Sequence, residues 1–277
     1  MYPYDLIENS GINLYVVLII VGIISALVTL RYLSTPLKMP AKVLNFTLLT
    51  TVLAIIVGWG AAMLFQAFYN FTATGVFEIK GQTFLGGLIG GAVVFILIYV
   101  FVGNVIFKDK LQMKHFGSLL TMAPPAIVGA HAFGRLGCLT AGCCYGGITD
   151  SWIGINMYSD GVWAKRVPTQ LFEALFLFAL YAVMLVLILK FKKKDTVSIY
   201  LIAYGVWRFL IEFVRADAER GASIIPGLYP SQVISIFMVI GGVAYAILYR
   251  KFFKFKLEPQ EEAIITEDAT KNEEVPQ

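Results

Sequence analysis

The chain has 277 residues, 58% of them hydrophobic and only 14% charged. A soluble domain carries about a quarter charged residues, so this composition excludes an ordinary water-soluble enzyme. The formal net charge of +4 comes from lysines and arginines clustered between apolar runs, a pattern that sets membrane topology and gives no reason to expect a nucleic-acid partner.

Seven apolar runs follow along the chain, each near the length of about 20 residues that crosses a bilayer as a helix. The first is Leu14–Leu33. The stretch before it has no lysine or arginine and carries Asp5 and Glu8, so it lacks the basic start of a cleaved signal peptide and is read as a retained helix. The second and third are Phe46–Phe68 and Phe84–Phe107. In "FLGGLIGG", Gly87 and Gly91 have the spacing that lets helices pack closely, while bare backbone at Gly86 and Gly87 offers an approach for a lipid headgroup. The fourth, Gly117–Arg135, contains Pro124 and Pro125, which membrane helices tolerate where neighbours cover the freed backbone groups. A polar loop then leads to Pro168 and the remaining runs, Leu171–Lys190, Val197–Val214 and Val233–Leu248. Residues 258–277 are acidic and polar and read as a disordered tail.

Fourteen basic residues lie in the loops after runs one, three, five and seven. By the positive-inside rule those loops and the C-terminus are cytoplasmic and the N-terminus is outside. The expected fold is an all-α membrane protein of seven transmembrane helices. Residues 1–257 form one domain in this reading, with an outer loop at about 138–167 and a cytoplasmic tail.

Polar chemistry gathers near the predicted outer face. Tyr15 is near the outer end of the first run, Arg135 ends the fourth, and Glu173 lies one turn into the fifth. Arg208 and Glu212 sit four apart on one face of the sixth. An arginine at a helix centre costs about 2.5–3.5 kcal/mol on insertion scales. It is there either to lock the bundle, paired with Glu212 or Glu173, or to hold an anion such as a lipid phosphate, which its planar fork suits. All three cysteines of the chain fall in "GRLGCLTAGCCYG", Gly134 to Gly146. A nearby cation lowers a thiol's pKa. That marks Cys143 as a functional thiol, with His131 either its base or a packing residue; if the helix continues, His131, Arg135 and Cys138 share a face. The alternatives for the cysteines are inert packing or a Cys138–Cys143 bridge if the chain turns at Gly142. The adjacent Cys-Cys pair fits metal-ligand spacing poorly, so neither a metal nor a cofactor is expected.

These residues resemble the prolipoprotein diacylglyceryl transferase family, bacterial membrane enzymes that lipidate lipoprotein precursors. The family signature is G-R-x-G-N-F-x-N-x-E-x-x-G, and Gly134, Arg135, Gly137 and Gly146 stand in register with it. The likeness continues in "PTQLFEA" (Pro168–Ala174), "AYGVWRFLIEFVR" (Ala203–Arg215) and "SQVISIFMVIGG" (Ser231–Gly242), and "FLGGLIGG" takes the place of F-H-G-G-L-x-G. The resemblance implies a multi-pass enzyme of the bacterial cytoplasmic membrane. Its partners would be phosphatidylglycerol, the signal-peptide region of a preprolipoprotein and the lipid bilayer. It would move diacylglyceryl to the acceptor's cysteine thiol while glycerol phosphate leaves. Arg135 and Arg208 would bind the phosphate, with Tyr15 and Tyr204 as polar partners near the headgroup. The expected catalytic set is therefore Arg135, Arg208, Cys143 and His131, and the expected substrate-binding set Tyr15, Gly86, Gly87, Cys138, Gly146, Glu173 and Tyr204. The chain departs from the family in its signature. The family's histidine is Leu85 here, its two asparagines are Cys138 and Ala141, and its glutamate is Cys143. Other readings are a transferase of the same fold that uses its own cysteine with another acceptor, a membrane thiol–disulfide protein, or a transporter or lipid-binding scaffold.

Overall fold

The computed structural model describes residues 13–79, 84–159, 161–216 and 227–251. The predicted tail at 258–277 and the acidic N-terminal residues lie outside the described residues. The chain divides into two compact units, Met1–Pro36 with Gly117–Gln277, and Leu37–Phe116.

In the larger unit, α1 (Leu14–Ser34) starts at Asn13, whose side chain accepts the Val16 N–H and so satisfies one of the helix's orphan donors. In the smaller unit, α2 (Ala41–Thr74) ends on Gly75 in the left-handed region, its N–H returning to Phe71 O. Then come α3 (Phe84–Leu97), a π-helical turn (Ile98–Val102), α4 (Gly103–Ile106) and α5 (Leu111–Lys114). The glycines of α3 let it lie directly on α2. A Cβ at Gly86 would meet Phe65 Cβ at 2.5 Å, and one at Gly87 would come to 3.2 Å of Ala62 Cβ.

The larger unit continues with α6 (Phe116–Ala141), a two-stranded antiparallel hairpin, β1 (Ile155–Ser159) and β2 (Val162–Arg166), then α7 (Thr169–Leu189), α8 (Thr196–Ile211) and α9 (Pro230–Leu248). Helix α6 stays continuous through Pro124 and Pro125. The prolines have no N–H for the carbonyls of Leu120 and Thr121 four residues earlier. Thr196 Oγ1, at the start of α8, donates to both, 2.7 Å to Thr121 O and 3.3 Å to Leu120 O. Below this clamp Val128, Ala132, Leu177, Leu180, Met184 and Tyr204 form a buried core.

Among the described residues six helices are long and apolar enough to cross a membrane: Leu14–Ser34, Ala41–Thr72, Gly86–Ile106, Phe116–Ala141, Thr169–Leu189 and Pro230–Lys251. The sixth apolar run, Val197–Val214, forms the shorter Thr196–Ile211. At 16 residues it is about 24 Å long, less than the roughly 30 Å hydrocarbon core. Large apolar side chains such as Ile56, Phe101, Leu210 and Phe237 face outward while Glu173, Glu212 and Gln232 are buried. That distribution suits a lipid solvent, where bare polar groups are the costly ones.

One expectation changes: helix α6 runs past Arg135 to Ala141, so Cys138 is helical and the outer loop starts later than residue 138. That loop contains the small β-hairpin, and the fold is otherwise helical, as expected.

Candidate functional site

Four residues of the larger unit form a polar network in its apolar interior. Tyr204 Oη donates to Glu173 Oε1 at 2.9 Å, and Arg135 Nε lies 3.1 Å from Glu173 Oε2. The same Nε donates to His131 Nε2 at 3.3 Å. The His131 ring packs edge-on to Tyr204, centroids 5.0 Å apart. Both of these contacts run through Nε, the inner nitrogen, so the two terminal amino groups of the fork can meet an anion.

A second group of charges lies at the end of α8. Arg208 Nη1 stands 2.8 Å from Glu212 Oε2, and Arg215 Nη1 stands 3.5 Å from the same oxygen. Glu212 is fully buried. Arg208 also lies within electrostatic reach of His131 and Tyr204.

The cysteine loop comes next along the chain. Gly142 (φ +73°) takes the left-handed conformation just past α6, and a Cβ there would strike Tyr158 O. The Cys143 N–H returns to Cys138 O at 3.2 Å, the six-to-one bond of a Schellman cap. That cap brings the side chains of residues 138 and 143 together. Cys144 is itself left-handed (φ +61°), which turns the third thiol toward the other two. All three sulfurs lie within 4.8 Å of one another, and the three cysteines are half-buried and free. The start of α7 holds the loop in place. Thr169 Oγ1 donates to Cys144 O at 2.7 Å and Gln170 Nε2 to Cys143 O at 2.6 Å. Gly146 N–H bonds Val167 O, and a Cβ at Gly146 would come to 2.8 Å of that oxygen. The Arg166 guanidinium covers the Tyr145 ring at 4.3 Å. Hydrogen bonds from the Cys138 and Cys143 thiols, with Arg135 and Arg215 nearby, hold the Cys144 thiol well below its ordinary range. Its bonds to Cys138 and Cys144 push the Cys143 thiol up.

The expected set thus divides. His131, Arg135, Glu173 and Tyr204 come together. Tyr15 packs over Gly137, where a Cβ would lie 3.0 Å from its Cδ2, and is within electrostatic reach of Arg135 and the thiols. Cys138, Cys143 and Gly146 build the loop, where Cys144 joins the two expected cysteines. His131 is engaged with Arg135. Gly86 and Gly87 belong to the other unit, where both pack against α2. Sequence reasoning passed over Thr169, Gln170 and Arg166. Their signal was present, since "RVPTQ" stands where the cysteine loop meets the next helix.

The family model for prolipoprotein diacylglyceryl transferase matches residues 5–248. The chain is 35% identical over 219 residues to phosphatidylglycerol–prolipoprotein diacylglyceryl transferase 2 of Clostridium perfringens, covering 73% of this chain and 77% of that one. It is 36% identical over 169 residues to the phosphatidylglycerol–prolipoprotein diacylglyceryl transferase of Clostridium tetani, 59% of this chain and 62% of that one. The protein of that name from Streptococcus sanguinis is 28% identical over 263 residues, 87% and 92% of the two chains.

Proposed function

The chain belongs to the prolipoprotein diacylglyceryl transferase family, and from that premise we propose that it transfers diacylglyceryl from phosphatidylglycerol to the cysteine thiol of a prolipoprotein. The observation that carries this reading is the Arg135 fork. Glu173 and His131 fix it through Nε, leaving two terminal amino groups for a phosphate. As the acceptor sulfur attacks the glycerol carbon, negative charge grows on the departing glycerol phosphate. A fixed cation stabilises that transition state more than the ground state. Arg208 is the second phosphate ligand in this reading, and Tyr204 orients the Glu173 carboxylate that positions Arg135.

The reading includes a seven-helix membrane domain over residues 1–257 in the bacterial cytoplasmic membrane, with the N-terminus outside. The acceptor is the signal-peptide region of the precursor, and the bilayer supplies the donor lipid. Complementation tests it. The chain is expressed in cells depleted of their own diacylglyceryl transferase. Lipidated lipoproteins should reappear with the wild-type chain and stay absent with Arg135→Ala inserted at equal level. Equal lipidation with the alanine variant would refute the role of Arg135.

A further inference from the structure

We propose that Cys138, Cys143 and Cys144 form a three-sulfur site for a thiophilic metal ion, zinc in the first instance, whose open fourth position takes the sulfur of the acceptor cysteine. The acceptor role rests on the proposed function; the metal site does not.

The geometry is specific. Zinc holds thiolates at about 2.3 Å in a tetrahedron, which sets its sulfurs about 3.8 Å apart. The three sulfurs here lie within 4.8 Å of one another, so the tripod closes by no more than about 1 Å, within the reach of cysteine rotamers. The backbone is already turned for it, by the Schellman cap at Gly142 and the left-handed Cys144. The carbonyls of Cys143 and Cys144 are tied to Gln170 and Thr169, so the loop does not have to be ordered on binding. Spacing alone argued against such a site, because adjacent cysteines in regular structure point apart; the left-handed turn at Cys144 removes that objection.

Two features separate an exchange site from a sealed structural one. Structural zinc takes four protein ligands, whereas catalytic zinc takes three and leaves one position open. Among the described residues the sulfur cluster has three members, and each cysteine is half-buried, so a fourth ligand can reach the ion. Three thiolates around a divalent ion leave one negative charge, and Arg135 and Arg215 lie close enough to balance it.

Such an ion would do the work of a base. The acceptor's thiol proton leaves to solvent as its sulfur replaces water on the metal. The bound sulfur then attacks the glycerol carbon, the S–C bond forms and the C–O bond to phosphate breaks. The electron pair leaves with glycerol phosphate beside Arg135. Nothing is oxidised or reduced. Because His131 Nε2 is engaged by Arg135, the step does not draw on that imidazole.

The test uses the full chain in detergent under reductant, loaded with zinc chloride and freed of excess. Elemental analysis should find one zinc per chain. Loss of even an outer-shell partner costs about 10–100-fold in metal affinity, so Cys138→Ser, Cys143→Ser and Cys144→Ser should each weaken binding at least tenfold. Cys144→His, which keeps a ligand atom, should stay loaded and so distinguishes a lost ligand from a lost fold. With cobalt in place of zinc, a peptide carrying the acceptor cysteine should shift the thiolate charge-transfer band, and the same peptide with serine should not. A reduced wild-type chain without zinc, equal zinc in the serine variants, or a Cys138–Cys143 disulfide that excludes metal would overturn the site. A zinc-loaded chain that never lipidates would instead count against the transferase reading. A triple serine variant that lipidates at the wild-type rate would remove the metal from the reaction.

Discussion

Glu173 is the residue on which the buried network turns. Its carboxylate is almost completely buried, and it is tolerable there because one oxygen receives the Tyr204 hydroxyl and the other faces Arg135. Breaking a buried pair is costlier than never making it, because the remaining charge keeps its full desolvation cost. Tyr204→Phe removes one donor and leaves a buried acceptor unsatisfied, at a cost of about 1–3 kcal/mol. We expect a lower unfolding midpoint in detergent together with reduced transfer, because Arg135 loses its fixed carboxylate. Unchanged melting and activity would show that Glu173 does not depend on Tyr204. Arg208 makes a different case. A hydrogen bond to a charged group contributes about 1.5–3 kcal/mol, so Arg208→Ala should lower transfer by about 10- to 150-fold while the protein still inserts. Arg208→Lys should recover little, since a lysine ammonium cannot make the parallel pair of bonds that a guanidinium fork offers. Initial rates on vesicles containing phosphatidylglycerol would measure both, and near-wild-type turnover in the alanine variant would remove Arg208 from phosphate binding.

At the scale of elements, the clearest device is the clamp between α6 and α8. Helix α6 carries two adjacent prolines, and its freed carbonyls are met by a single side chain at the first residue of α8. Thr196→Val keeps the shape and removes the donor, leaving two buried carbonyls unmet. A loss of about 1–3 kcal/mol is expected. In a protein of this size that lowers the midpoint by about 2–4 °C per kcal/mol. Thr196→Ser should restore most of it, and a valine variant that melts like wild type would show that water or another group serves those carbonyls. The same elements show what could be read from the sequence. Seven apolar runs predicted seven apolar helices, because hydrophobic length is a local property. That Pro124 and Pro125 could sit within a helix was also legible, but not which partner would rescue the backbone, since Thr196 is about seventy residues away. The hairpin had a local signal in the Asp-Gly pair at 160–161, a favoured two-residue turn, flanked by "INMYS" and "VWAKR". Arg135, Arg208 and Glu173 stood out because charge within an apolar run is rare. The sulfur tripod did not, because it depends on the backbone of Gly142 and Cys144, and a left-handed cysteine has no reliable signature in the sequence.

For the whole molecule, the placement of basic residues predicts which face of the membrane holds the site. Basic residues set orientation when they lie in short loops near the ends of spans. Arg31 is in the last turn of α1, Lys38 lies between α1 and α2, Lys42 is in the first turn of α2, and Lys190, Lys192, Lys193 and Lys194 lie between α7 and α8, while the segment from Cys138 to Arg166 contains only Lys165 and Arg166. From that bias the cysteine loop and hairpin are expected to face outward, toward a compartment where a secreted precursor's thiol would arrive. Two exposed positions test it without disturbing the network. Trp152 is 91% exposed in the loop before β1, and Lys193 is exposed between α7 and α8. In a chain whose native cysteines are all serine, Trp152→Cys should react with a membrane-impermeant maleimide on intact cells, and Lys193→Cys only after the inner membrane is opened. The triple serine background does not prejudice the result, because it leaves every basic residue in place. The opposite labelling pattern would invert the topology and put the Arg135 fork on the cytoplasmic side, where an acceptor awaiting export would have to meet it before crossing the membrane.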